Sequence, residues 1–197
     1  MMRFQECAPP PEWDDKVLNP GRRWLEQPTH RDQPRPKDLW SPYRGDLARA
    51  FSSLCAYTTM WCPNGTVDHY VPWSRARATQ PDLAYQWSNL RYADGWFNSS
   101  RKSSDIPDPF TVCDDWFELL LPSLELVSTD AVPPAERERV AKVLTWLGKH
   151  PNVTRARREY FQRYRSGELG LDLLDAWAPL LARALRANPE FLLPRDR

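Results

Sequence analysis

Glycine is scarce in this 197-residue chain, at seven residues against twenty prolines. That ratio excludes a flexible Gly-rich chain and favours long extended segments with fixed backbone angles. No stretch approaches the roughly 18 consecutive apolar residues of a membrane helix, so neither a span nor a membrane partner is expected. The opening stretch, MMRFQECAPPPEWDD, lacks the apolar core of a signal peptide. Four cysteines at irregular spacing (Cys7, Cys55, Cys62, Cys113) do not form the pattern of a disulfide framework. A strong charge bias is also missing: the net charge is +1, so any surface for nucleic acid must be local. These absences together predict a soluble, cytoplasmic protein with one good-sized domain, or one domain and an appendage.

What the chain does have is tryptophan, ten in all, and three of these (Trp13, Trp24, Trp40) punctuate residues 1–42. This Pro-rich, charged segment is expected to have little regular structure and to lie extended on another surface, either a partner or the protein's own body. Three indoles in so short a segment argue against disorder. Next, RGDLARAFSSLC carries Leu47, Ala50, Phe51 and Leu54 at helical spacing. Asn64-Gly65 marks a turn before the strand-like TVDHYVP. A longer loop leads to a second strand-like run, WSNLRYA, and then to a short helix in DGWFNSSRKSS with Asp94 as its cap. Beyond residue 105, WFELLLPSLELVS reads as two short strands interrupted at Pro122. The remainder reads as helices: one ending near Gly148, a basic one in TRARREYFQRYRSG, and an apolar one broken at Pro179. The expected organisation is an extended segment over 1–42, a strand–loop–strand–helix module over 43–105, and short strands followed by helices over 106–197.

Within the module one spacing carries chemistry. Asp68 and His69 sit side by side, Asn89 follows twenty residues after His69, Asn98 nine further on, and Lys102 one helical turn beyond that. Strict strand alternation would turn Asp68 and His69 to opposite faces unless the strand ends or bends there. Each residue has an ordinary alternative: a polar pair in a strand, a turn residue, a helix cap, a solvated lysine. Taken together, over about residues 55–102, they resemble the HNH endonuclease family, in an acid-His / Asn / Asn variant of its ββα-metal motif. LAYQWSNLR and DPFTVCDDWFELLLPSLEL are further similar to HNH proteins encoded beside an ATPase in bacterial anti-phage defence. The resemblance implies an α+β fold, with a small ββα-metal module embedded in a mostly helical domain.

It also implies roles. His69 is the expected general base toward water in phosphodiester hydrolysis, because a neutral ring nitrogen accepts a proton near neutral pH. Asp68 and Asn98 are the expected ligands of Mg²⁺ or Mn²⁺, a hard cation that takes few protein oxygens and keeps water and phosphate. Asn89 is expected to hold the loop and the His69 ring, and Lys102 to meet a phosphate. Many HNH proteins also carry a structural zinc on two cysteine pairs. Cys55 and Cys62 are one candidate pair, but Asp94 and Phe97 stand where the second would fall, so no structural zinc is expected. Trp61, Trp96 and Phe97 are expected to fill that space.

Across residues 66–104, Arg75, Arg77, Arg91, Arg101 and Lys102 exceed the acids by two charges and are the expected contacts to a nucleic-acid backbone. In the later basic helix, Tyr160, Phe161 and Tyr164 either stack on bases or pack in a core. The partners expected are nucleic acid, with DNA ahead of RNA, and an ATPase protein. The rival from another class is a non-catalytic adaptor built on a vestigial HNH fold.

Overall fold

A computed structural model of the chain describes residues 1–101, 105–148 and 150–196. Two compact units share them. One comprises Gln5–Ser53 and Cys62–Ser104; the other comprises Met1–Phe4, Leu54–Trp61 and Asp105–Arg197. The chain passes to the second unit for good at residue 105, Leu54–Trp61 also belong to that unit, and the N-terminal segment over 1–42 is not a unit of its own. Nearly all of it belongs to the unit that carries the strand–loop–strand–helix module.

In that first unit the chain is helical from Asp14 to Leu25, correcting the expectation of an extended 1–42 segment. A wide π-turn over Asp14–Leu18 runs into α1 (Asn19–Leu25), and α2 (Pro28–Arg31) follows. Pro20 accounts for the widened turn: it has no N–H to bond back, and its ring crowds the carbonyl one turn earlier. The helix is held by burial of Trp13, Val17 and Leu25. Gly21 faces the ring of Tyr85, where a Cβ would come within 2.2 Å, so only glycine lets α1 lie this close. Trp13 donates its indole N–H to the Tyr85 carbonyl at 3.1 Å and meets Trp87 edge-on at 4.9 Å.

After α3 (Arg44–Ala50), β1 (Thr66–His69) pairs antiparallel with β2 (Leu90–Ala93), in a register that sets Asp68 opposite Arg91 and His69 opposite Leu90. The connection holds α4 (Trp73–Ala76) and a 3₁₀ turn over Pro81–Tyr85. α5 (Gly95–Arg101) follows β2 directly. Asp94 caps it, its Oδ1 accepting from the Trp96 N–H at 3.1 Å. The turn into β1 is pinned from the opposite strand: the Tyr92 hydroxyl accepts from the Gly65 N–H and donates to the Cys62 carbonyl, at 2.8 and 2.7 Å. A Cβ on Gly65 would stand 2.4 Å from the Tyr92 ring.

In the second unit, β3 (Phe117–Leu120) and β4 (Glu125–Ser128) form the hairpin read from the sequence, and α6 (Arg137–Val143) to α9 (Pro179–Ala187) complete it. α7 (Pro151–Arg165) is the basic helix, and α8 (Leu171–Trp177) turns into α9 at Pro179. Tyr164 is fully buried in the core around Leu174, Leu181 and Leu185, with Tyr160 and Phe161 against it. These aromatics therefore pack a core and do not stand ready to stack on bases. Trp61 does not fill the interior either: it is 43% exposed and stacks on Trp177 at 5.1 Å. The architecture is α+β, helices with two small antiparallel sheets. Among the described residues no helix is long and apolar enough to cross a membrane.

Candidate active site

A cleft of about 610 Å³ opens along β1, and Thr66, Val67, Asp68, His69, Gly95 and Asn98 line one side of it. The question of opposite faces is answered by the shortness of the strand. β1 is only four residues long and all four line the cleft, so Asp68 and His69 both border it although they are neighbours in the strand. Asp68 keeps only 6% of its surface exposed.

The tautomer of His69 follows from its partner. Nε2 lies 3.0 Å from the Ala84 carbonyl oxygen, which can only accept, so Nε2 carries the proton. In the neutral ring Nδ1 is then the basic nitrogen.

Asn89 stands behind this arrangement. Its Oδ1 accepts from the Val71 N–H at 2.8 Å, and its Nδ2 donates to the carbonyls of Val71 (3.1 Å) and Leu83 (2.9 Å). Leu83 precedes Ala84, so one buried amide ties the exit of β1 to the turn that holds the imidazole. Asn98 is oriented in the same way. Its Nδ2 donates to Thr66 Oγ1 at 3.1 Å and to the Val67 carbonyl at 3.0 Å. With both N–H groups turned toward β1, Oδ1 is the atom this side chain can offer a cation.

Asp68 and Asn98 both line the cleft and are the oxygen-bearing side chains of the motif that could offer a cation a sparse, hard donor set. Among the described residues no three His, Cys, Asp or Glu side chains converge. Two protein oxygens fit magnesium or manganese, which fill their remaining positions with water and phosphate.

The expected nucleic-acid contacts divide. Arg75 is exposed on α4. Arg77 is half-buried and donates to the Asp32 carbonyl at 3.4 Å. Arg91 is not a surface contact: it is 1% exposed, donates to the carbonyls of Ser88 and Leu90 at 2.7 and 2.8 Å, and lies over the Tyr70 ring at 5.1 Å. All four residues of β2 are buried, and Arg91 is inside with them. Lys102 and the side chain of Arg101 lie outside the described residues.

Sequence reasoning missed the other side of the cleft. Pro34, Arg35, Pro36, Asp38 and Trp40 line it. Trp40 meets the His69 ring edge-on at 4.5 Å, with the planes at 85°. The available signal was the isolated Trp in QPRPKDLW, which showed that this segment docks but not where. Tyr85, packed near Trp40, is held protonated because burial raises its hydroxyl well above the usual tyrosine range, so it offers no second base.

In comparisons with family models, curated proteins and solved structures, the chain matched none.

Proposed function

We propose that this protein is a metal-dependent endonuclease of the HNH type, hydrolysing nucleic-acid phosphodiester bonds in the cleft along β1. One observation carries the reading: a strand–strand–helix unit brings Asp68, His69 and Asn98 to one cleft, while Ala84 leaves Nδ1 of His69 as the basic nitrogen. In this reading His69 takes the proton from the attacking water at Nδ1, and the Ala84 carbonyl accepts from Nε2–H as the ring becomes positive. Asn89 holds that carbonyl in place by fixing the preceding residue. Asp68 and Asn98 would hold the divalent cation, which supplies Lewis-acid stabilisation to the phosphate and the leaving oxygen. By its sequence resemblance, the protein would serve as the effector of a bacterial anti-phage system, acting with an ATPase partner.

The test is a nicking assay on plasmid DNA and labelled RNA with magnesium or manganese. The parent should cleave, and His69→Ala should lose roughly two to four orders of magnitude in rate, the usual scale of general-base catalysis. Cleavage by His69→Ala at the parental rate would remove the base from the reading and leave the adaptor in its place.

A further inference from the structure

Residues 32–40 form a strap that lines the cleft through Pro34, Arg35, Pro36, Asp38 and Trp40, and the geometry points to this strap as the substrate-facing wall of the site: Arg35 contacts a backbone phosphate, and Trp40 is a positioning residue for His69. The inference rests on the nuclease reading for the kind of phosphate involved.

The strap is built to be stiff. Arg35 stands between Pro34 and Pro36. Each proline ring fixes its own φ, and each disfavours the helical region for the residue before it. Arg35 is therefore presented from a backbone with little freedom to lose on binding. The strap is tied down at its start, where the Trp73 indole N–H donates to the Gln33 carbonyl at 2.8 Å and Arg77 donates to the Asp32 carbonyl. Near its end, Asp38 accepts from the Ser41 N–H at 3.0 Å and from the Ser41 hydroxyl at 2.5 Å. That use of Asp38 bears on Arg35. The one carboxylate within the lining part of the strap is turned to its own cap, and Arg35 makes no ion pair among the described residues. A guanidinium that is exposed, unpaired and mounted on rigid backbone in the same cleft as Asp68 and His69 matches what a phosphodiester requires of a second contact.

Trp40 acts differently. It lies between Tyr85, at 6.0 Å, and His69, at 4.5 Å, so the imidazole is held by the Ala84 carbonyl on one nitrogen and by the indole against the ring. The hydrogen bond fixes the tautomer and the indole limits rotation of the ring about it.

The two roles separate in one set of measurements on the full-length protein. Binding of a fluorescein-labelled oligonucleotide is followed by anisotropy in EDTA across a salt series, and nicking is followed with manganese. Arg35→Ala should weaken binding about tenfold to a hundredfold. It should also lower the slope of log affinity against log salt by about one contact, roughly 0.7–0.9. In nicking, KM should rise with kcat retained, and Arg35→Lys should recover part of the loss. Trp40→Ala should lower kcat with KM little changed and shift the His69 ring signals in the NMR spectrum, and Trp40→Phe should restore both. Unchanged binding and salt slope in Arg35→Ala, beside a parent that binds and cleaves, would overturn the strap as a phosphate contact while the nuclease reading stood. A parent that binds but does not cleave, with binding still lost in Arg35→Ala, would support the phosphate contact and remove the nuclease. Loss of kcat in Trp40→Ala without movement of the His69 signals, or without rescue by Phe, would refute the positioning role.

Discussion

Replacing Asn89 by alanine removes three hydrogen bonds from a buried site, to the N–H and carbonyl of Val71 and the carbonyl of Leu83. Each such bond contributes about 0.5–1.5 kcal/mol net, and each group left buried without a partner costs about 1–3 kcal/mol. Some of those groups will rehydrate in a loop near a cleft, so a loss of about 3 kcal/mol is expected. For a protein of this size that lowers the melting midpoint by roughly 6–12 °C. Because the chain has two compact units, a global melt alone is a blunt assay. Amide exchange is sharper. The Val71 N–H bonds to the Asn89 side chain and should lose protection, whereas the Tyr70 N–H bonds to the Asn89 backbone carbonyl at 2.8 Å and should keep it. If the clamp also fixes the Ala84 carbonyl, nicking by Asn89→Ala should fall in kcat before KM. Equal protection of Val71 in parent and variant would refute the clamp and its link to His69.

Asp68→Ala should weaken the divalent cation and not the base, so nicking should recover in part as manganese is raised; no recovery at any concentration would argue against Asp68 as a ligand. Arg157 is 4% exposed, both terminal nitrogens lack a hydrogen-bond partner among the described residues, and burial pushes its pKa down from the ordinary arginine value to about 10. A lowered pKa in a base means the fold disfavours the charged form. The penalty is full below about pH 10 and fades as the pH rises further toward the ordinary arginine value. It amounts to about 3 kcal/mol at neutral pH, so Arg157→Met should raise the melting midpoint by several degrees, and a lower midpoint would contradict the penalty. Elemental analysis of purified protein should find no stoichiometric zinc; one tightly bound zinc per chain would show that Cys55 and Cys62 recruit further ligands.

The legible parts of this protein are those written locally. The strand-like runs TVDH and LRYA, the Asn64-Gly65 turn, the Asp94 cap and the break at Pro179 each depend on neighbours a few residues away, and the elements appear where those signals lie. The π-turn into α1 was hidden because a Pro-rich segment reads as extended, although the Trp13, Val17, Gly21, Leu25 series supplies a helical face that closes on Tyr85. Arg91 misled for a related reason. A lone arginine in a four-residue strand reads as a solvated charge, and only the packing that buries all four residues of β2 shows it to be interior.

The candidate site was legible to the same depth. The acid-His pair and the two asparagines are visible as types at a spacing, yet their working depends on partners with no signature of their own. The proton on Nε2 of His69 is decided by a carbonyl, Ala84, that any residue would supply. The aim of Asn98 is decided by where Thr66 and Val67 present oxygens on β1. Trp40 reaches His69 from twenty-nine residues away in sequence, through a strap whose stiffness comes from Pro34 and Pro36. A motif therefore specifies which atoms can react, while the orientation of those atoms is set by backbone groups and by the N-terminal segment. Substitutions in residues 32–40 should consequently change nicking while leaving every motif residue intact, which a reading confined to residues 66–102 does not anticipate.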